Sequence, residues 1–277
     1  MKTLILTLEY PPQTGGIASY IIGFTEQMPA GDIVIYAPRL TGDSAYDQRR
    51  PWKVYRRTPL VSFVWPHWIK AVFDVWRICR REKIRQMHVH HILPLGYAAL
   101  IVKRFLKIPY VIFLHGSDFQ VAAKSATKRK KFRWICRQAD RVIVNSEFSK
   151  RQLAEMIDDA SRVVIVYPCP NDNFITYLPQ PDELHKLRSA LALEGKKVVL
   201  SVARLADRKG HLLLAVLLPK ILEQIPNLVW VIIGDGPKKD GLIQLIQKNN
   251  LQSITRFLPS LDTSELPKYF YLANLFV

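Results

Sequence analysis

The 277-residue sequence predicts an α/β protein made of two doubly wound parallel-sheet domains in series. Three observations carry that prediction. Short apolar runs alternate with longer stretches of helical periodicity. The runs are continuously apolar, the pattern of strands buried on both faces of a parallel sheet. The alternation breaks at a proline-rich stretch and then restarts.

Taken in order, LILTL (4–8) reads as the first strand. The opening MKTLILTLEYPP is too short for a secretory leader and lacks a small-residue cleavage site. DIVIYA (32–37), QMHVHH (86–91), YVIFLH (110–115), RVIVNS (141–146) and VVIVYP (163–168) follow as further strands. Before the third run, Ile69, Val72, Phe73 and Trp76 recur at helical spacing, and Arg77, Arg80, Arg81, Lys83 and Arg85 are read into the same helix. A second basic segment, KSATKRKKFRWICRQADR, spans 124–141. These elements assign residues 1–175 to a first domain. PCPNDNFITYLPQPDE, with Pro168, Pro170, Pro179 and Pro181, reads as the linker. Residues 181–277 form the second domain, with strands KKVVLSVAR (196–204), NLVWVIIGD (227–235) and SITRFL (253–258) and helices near 210–224 and 237–250. It numbers 97 residues, against about 150 for a complete unit of this kind. Its last residues, NLFV, read as a strand just opening, so the second domain is expected to be incomplete.

Composition sets the outer bounds. With 49% apolar and 23% charged residues the chain is neither disordered, collagen-like nor coiled-coil. A formal charge of +17 predicts attraction to anions: nucleic acid, phosphorylated ligands or an acidic membrane face. The first domain holds most of it, with 27 basic against 14 acidic side chains up to residue 178 and 13 against 9 beyond. Cys79, Cys136 and Cys169 are scattered and odd in number, which supports neither a disulfide framework nor a zinc site and fits a reducing cytoplasm. LLLAVLLPKIL (212–222) is interrupted by Pro219 and Lys220, so no transmembrane span is expected.

Four motifs could carry chemistry. EYPPQTGGIASY (9–20) follows the first strand, and Gly15 and Gly16 would let backbone amides approach an anion at a helix N-terminus. An ordinary strand-to-helix loop would read the same way. HGSDF places His115 at the carboxyl end of its strand, able to hydrogen-bond a substrate hydroxyl, or else simply buried and satisfied. SVARLADRKG (201–210) is the strongest signal: Arg204 ends a strand, and Lys209 precedes Gly210 and the next helix, a pair able to neutralise a diphosphate. Arg208 reads as a solvated charge. VIIGDGP (231–237) ends in a glycine turn in which Gly234 suits close approach to a nucleotide sugar, or a turn requiring positive φ at Gly234 or Gly236.

EYPPQTGGIASY, FLHGSDF, ADRVIVNSEFSKRQL, SVARLADRKG, VIIGDGP and RFLPSLDTSELPKYFYLANLFV, in that order, resemble the retaining glycosyltransferases of the large group 1 family, family four. The resemblance covers nearly the whole chain and implies the GT-B fold, two Rossmann-like domains facing a cleft. It implies a nucleotide-sugar donor held mainly by the second domain and an acceptor bound by the first, with no metal or other cofactor required. Arg204 and Lys209 match the pair that grips the donor diphosphate, Gly15 and Gly16 the loop that approaches phosphate and sugar, and His115 the histidine that contacts the sugar. Asp118 falls in the same loop, matching a contact to acceptor or sugar, and Phe257 and Leu258 match the segment lining the base pocket. The family's mechanism is front-face transfer with retention, the diphosphate helping to take the acceptor proton. The family's later loop with two glutamates would follow LANLFV and is absent, and YPCPNDNF replaces the usual asparagine-glycine turn.

The reading is therefore a glycosyltransferase acting on a glycan or lipid-linked acceptor, cytoplasmic and peripheral on the inner membrane face. The amphipathic stretch at 69–85 and the KRKK run at 128–131 are expected to meet anionic lipid. An inactive, truncated transferase fragment is the alternative. A nucleic-acid-binding protein has only the net charge behind it, since no helix-turn-helix, zinc, RRM or KH signature is present, and no nucleic-acid partner is expected.

Overall fold

In the computed structural model, residues 14, 61–64, 158, 170 and 171 lie outside the described residues, and with them one position of the glycine loop and two of the proline-rich linker. The chain divides into two compact units, Met1–Cys169 and Pro170–Val277.

Unit 1 runs β1 (Thr3–Leu6), α1 (Gly16–Glu26), β2 (Ile33–Pro38), α2 (Asp43–Asp47), β3 (Lys53–Arg57), α3 (Ile69–Arg81), β4 (Gln86–Val89), α4 (Ile92–Leu106), β5 (Tyr110–Leu114), α5 (Ser117–Ala123), α6 (Ala126–Gln138), β6 (Arg141–Val144), α7 (Glu147–Ala154) and β7 (Val163–Ile165). Its seven strands are all parallel, in the order β3-β2-β1-β4-β5-β6-β7. Alternate side chains feed two cores. Leu4, Leu6, Val34 and Tyr36 pack under α3, α4, α6 and α7 on one face, while Ile5, Ile33, Ile35 and Ala37 pack under α1 and α2 on the other. Burial on both faces is why β5 is apolar at every position and β1 at every position after Thr3.

Two readings of unit 1 need correction. KVYRR (53–57), read as no element, is the edge strand β3. Arg56 is only 9% exposed there, held by Asp47 through Nε at 2.9 Å and Nη2 at 2.8 Å. The basic helix ends at Arg81, and does not reach Arg85. Lys83 adopts φ 53°, Ile84 donates back to the Cys79 carbonyl (3.0 Å) with its side chain buried, and Arg85 already pairs with the Lys2 carbonyl. That is a left-handed helix stop sealed by an apolar contact.

Unit 2 runs α8 (Asp172–Thr176), α9 (Pro181–Ala190), β8 (Lys197–Val202), α10 (His211–Leu222), β9 (Leu228–Ile233), α11 (Lys239–Lys248), β10 (Thr255–Leu258), α12 (Leu266–Leu272) and β11 (Leu275–Phe276). NLFV does open a strand, β11, beside β8 in a parallel sheet ordered β10-β9-β8-β11. Val199, Trp230 and Ile232 pack under α10 and α11; Val198, Leu200, Val229 and Val231 pack under α9 and α12. Both units are thus parallel sheets covered on both faces, each a doubly wound, Rossmann-like unit.

Candidate active site

In a doubly wound sheet the strand order reverses where successive connections leave toward opposite faces, and a crevice opens at the carboxyl edge. Unit 1 reverses between β1 and β4, and unit 2 between β8 and β11. Gly15 and Gly16 follow β1 and Arg204 and Lys209 follow β8, at these points; His115 and Gly234 follow β5 and β9, and Phe257 and Leu258 lie on β10.

After β1, Thr7 Oγ1 donates to the Glu9 carbonyl (2.8 Å) and accepts from its N–H (3.0 Å), and Arg56 donates to the Pro11 carbonyl, so the glycine loop starts from a fixed base. α1 then begins at Gly16 with no side-chain cap and no acid in its first turn. Its first N–H groups are left as a positive end. Gly15 is extended (φ 164°), and a Cβ on Gly16 would meet nothing within 4 Å. Neither glycine answers a demand of the backbone; a Cβ on Gly15 would stand 3.4 Å from Glu9 Oε2, and it is Gly16 that leaves open space at the helix N-terminus.

His115 leaves β5 half-buried, its Nε2 3.0 Å from His90 Nδ1 and the two rings stacked at 5.2 Å. Asp118, the loop's second candidate, turns its carboxylate to the backbone. It is 6% exposed and accepts the N–H groups of His115 (3.0 Å) and Ile92 (3.4 Å). It is a positioning residue that ties the loop after β5 to the start of α4.

Three histidines read only as strand residues belong to this edge. His88 and His90 lie on the side covered by Tyr20 and Phe24 of α1, around Phe113. His91 Nδ1 accepts from the Leu8 N–H (3.1 Å), and its Nε2 lies 3.7 Å from Glu9 Oε1. Burial holds His88 and His115 down to about 4 and holds His90 well below the usual histidine range. The stack is neutral at pH 7, so one of the facing nitrogens donates and the other accepts. His90 Nε2 is buried without a partner. An orphaned lone pair is more tolerable than an orphaned N–H, which favours the proton on His90 Nδ1 and leaves His115 with its Nδ1–H to offer a ligand hydroxyl. Three histidines within six residues at a strand end were the available signal.

In unit 2 the loop after β8 holds Arg204 and Lys209, both exposed and without a side-chain partner among the described residues. The nearby carboxylates are engaged elsewhere: Asp207 with Lys238 (3.1 Å) and Asp235 with Lys239 (3.2 Å). α10 follows with no side-chain cap and no acid in its first turn. Its first residue, His211, is 6% exposed and held below its ordinary pKa by burial and Lys209.

Gly234 and Gly236 have a structural task. A Cβ on Gly234 would lie 2.1 Å from the Ala203 carbonyl oxygen, and one on Gly236 2.4 Å from that of Leu205. The turn clasps the Arg204 loop through Leu205 N–H to Asp235 O (2.9 Å) and Lys238 N–H to Leu205 O (3.1 Å). Gly234 is therefore required where its turn meets the backbone of the Arg204 loop. Phe257 and Leu258 lie half-buried on edge strand β10, and the Leu258 carbonyl accepts from Gly234 N–H (3.2 Å).

A cavity of about 470 Å³ lies after β2 and β3, lined by Arg39, Asp43, Ser44, Asp47, Gln48 and Arg56, and none of the candidate residues borders it. Among the described residues no group of three or more His, Cys, Asp or Glu side chains is arranged to hold a metal ion.

Residues 14–173 match the family described as Glycosyltransferase Family 4, and residues 184–277 match Glycosyl transferases group 1. The chain is 24% identical to a GDP-mannose-dependent alpha-(1-6)-phosphatidylinositol monomannoside mannosyltransferase of Mycolicibacterium smegmatis, over 99% of this chain and 71% of that enzyme. It is 22% identical to an alpha-monoglucosyldiacylglycerol synthase of Streptococcus pneumoniae, over 100% of this chain and 65% of that enzyme. Its fold resembles Anabaena HepE in complex with UDP-glucose, with a TM-score of 0.82, 19% identity and coverage of 100% of this chain and 73% of that one.

Proposed function

The chain belongs to the group 1 glycosyl transferases of family 4, and from that membership we propose that it moves a hexosyl group, with retention, from a nucleotide-diphosphate sugar to a lipid-linked or glycan acceptor. One observation carries the reading: two unpartnered cations, Arg204 and Lys209, stand at the uncapped N-terminus of α10, where unit 2 reverses its strand order. A diphosphate suits that place, with Arg204 offering its fork of donors and Lys209 a point charge. In unit 1 the open N-terminus of α1 and the His115 Nδ1–H suit the sugar's phosphate and hydroxyls.

In the proposed step the bond from C1 to the diphosphate oxygen breaks while the acceptor oxygen bonds C1 from the same face. The acceptor proton passes to the departing diphosphate. Arg204 and Lys209 stabilise the charge that grows on the leaving group. No metal is required in this reading. The polar cavity after β2 and β3 suits a hydroxyl-rich acceptor headgroup. The named relatives, a phosphatidylinositol monomannoside mannosyltransferase and a monoglucosyldiacylglycerol synthase, make a lipid-linked acceptor the favoured choice. No helix among the described residues is long and apolar enough to cross a membrane. A lipid-linked acceptor would be met at the cytoplasmic surface of a membrane, by peripheral contact.

Arg204→Ala and Lys209→Ala are each expected to lower transfer by about 10² to 10³, the usual cost of removing one group that stabilises developing charge. Both are exposed, so the urea midpoint is expected to stay unchanged. The assay is run with EDTA present, and wild-type turnover is expected to persist. Full activity in both variants sinks the site, and loss of turnover in EDTA sinks the metal-free step.

A further inference from the structure

Where unit 1 reverses its strand order, the residues leaving β1 and β4 meet. Thr7 clamps the backbone of Glu9, its Oγ1 donating to the carbonyl and accepting from the N–H. His91, two residues past β4, accepts the Leu8 N–H on Nδ1 (3.1 Å). That bond sets the tautomer: in the neutral ring the proton is on Nε2, and Nε2 faces Glu9 Oε1 at 3.7 Å. The other carboxylate oxygen, Oε2, lies under the glycine loop, 3.4 Å from where a Cβ on Gly15 would stand. The Glu9 side chain is thus aimed from two sides and still keeps 36% of its surface in solvent. A carboxylate has about four acceptor positions, so it can serve a ligand while holding its protein contacts.

Glu9 and His115 are near enough to act on one another. Burial and then His91 lower the His115 pKa, and the Glu9 carboxylate pulls it back. Their hydrogen-bonding roles are opposite: the carboxylate only accepts, and the neutral His115 has its Nδ1–H to give. A ligand that satisfies both must donate at one end and accept at the other, and a ring of hydroxyls does so.

We propose that Glu9 determines which sugar is transferred: it accepts a ring hydroxyl, selects neutral hexoses and turns away hexuronic acids, whose own carboxylate it repels. His91 is the positioning residue that holds it. This role rests on the reading of unit 1 as the side that meets the sugar of a nucleotide-diphosphate donor.

The test is calorimetric binding to the full chain of UDP-glucose against UDP-glucuronate and of GDP-mannose against GDP-mannuronate, taken with whichever diphosphate the chain binds. Each constant is divided by that of the bare diphosphate on the same variant. The wild type is expected to favour the neutral conjugate at least about a hundredfold, as two facing like charges require. Glu9→Gln is expected to weaken the neutral conjugate about tenfold and to bring the preference below about tenfold. Glu9→Asp retracts the charge without removing it, and is expected to lose the same affinity while keeping most of the preference. His91→Asn leaves an acceptor for the Leu8 N–H but no Nε2–H, and is expected to cut the preference about threefold to tenfold. A brace for the glycine loop and nothing more would lower the urea midpoint of these variants and leave the preference intact. That result overturns the proposal, as does a wild type that binds neutral and uronic conjugates alike. Binding of UDP or GDP that is lost in Arg204→Ala tests the transferase reading separately. Where it holds and the sugar preference is absent, Glu9 falls and the transferase stands; where neither diphosphate binds, both fall.

Discussion

Gly16 and Gly234 both follow strands of parallel sheets, yet they act in opposite directions. A Cβ at Gly16 meets open space at a helix N-terminus, whereas one at Gly234 strikes the Ala203 backbone at 2.1 Å, at a φ of 145° that side chains rarely adopt. Gly16→Ala is therefore expected to keep or slightly raise stability, by up to about 1 kcal/mol through the unfolded chain, while transfer falls because the methyl stands where a ligand must approach. Gly234→Ala is expected to lose about 1–3 kcal/mol to backbone strain and to displace Arg204. Urea unfolding beside turnover separates them, and equal stability losses in the two variants would refute the distinction. Asp118 belongs at this scale too. Its position beside His115 was legible, but its task was not, because that depends on the Ile92 N–H brought to it from 26 residues away.

At the scale of elements, the carboxyl end of β4 and the start of α1 form one device. Tyr20 and Phe24 roof the imidazoles, and the resulting desolvation keeps them neutral. A histidine whose pKa is depressed in the folded state takes up its proton first in the unfolded chain. Its contribution to stability is thus complete above the ordinary value near 6.5 and is lost as pH falls toward the folded value of about 4 for His88 and His115. The urea midpoint is expected to decline steeply across that window, and less steeply in His88→Leu. A midpoint flat from pH 6.5 to 4 would mean that the imidazoles are solvated.

For the whole molecule, each unit has cores on both faces of its own sheet, so each holds what it needs to melt cooperatively. Calorimetry is expected to resolve two transitions. UDP or GDP at a hundred times its dissociation constant is expected to stabilise the unit that carries Arg204 and Lys209 by about 2.7 kcal/mol. The two diphosphates run in parallel identify the base. A shift confined to the other transition would move the diphosphate site to the α1 loop, and a shift with neither would remove the donor assignment from both.

What the sequence determined by itself was the order and kind of the elements. Strands buried on both faces are apolar at nearly every position, and the glycines and cations at their ends follow from strand-to-helix geometry. β3 escaped because its two arginines break the apolar pattern, and Arg56 can be buried only because the fold delivers Asp47 to it. The tertiary structure alone decided which loops fall where the strand order reverses, and that among the described residues Arg204 and Lys209 lack side-chain partners while Asp207 and Asp235 have them. Those are properties of packing. Burial, pairing and exposure are set by residues distant in the chain, and a local pattern carries no record of them.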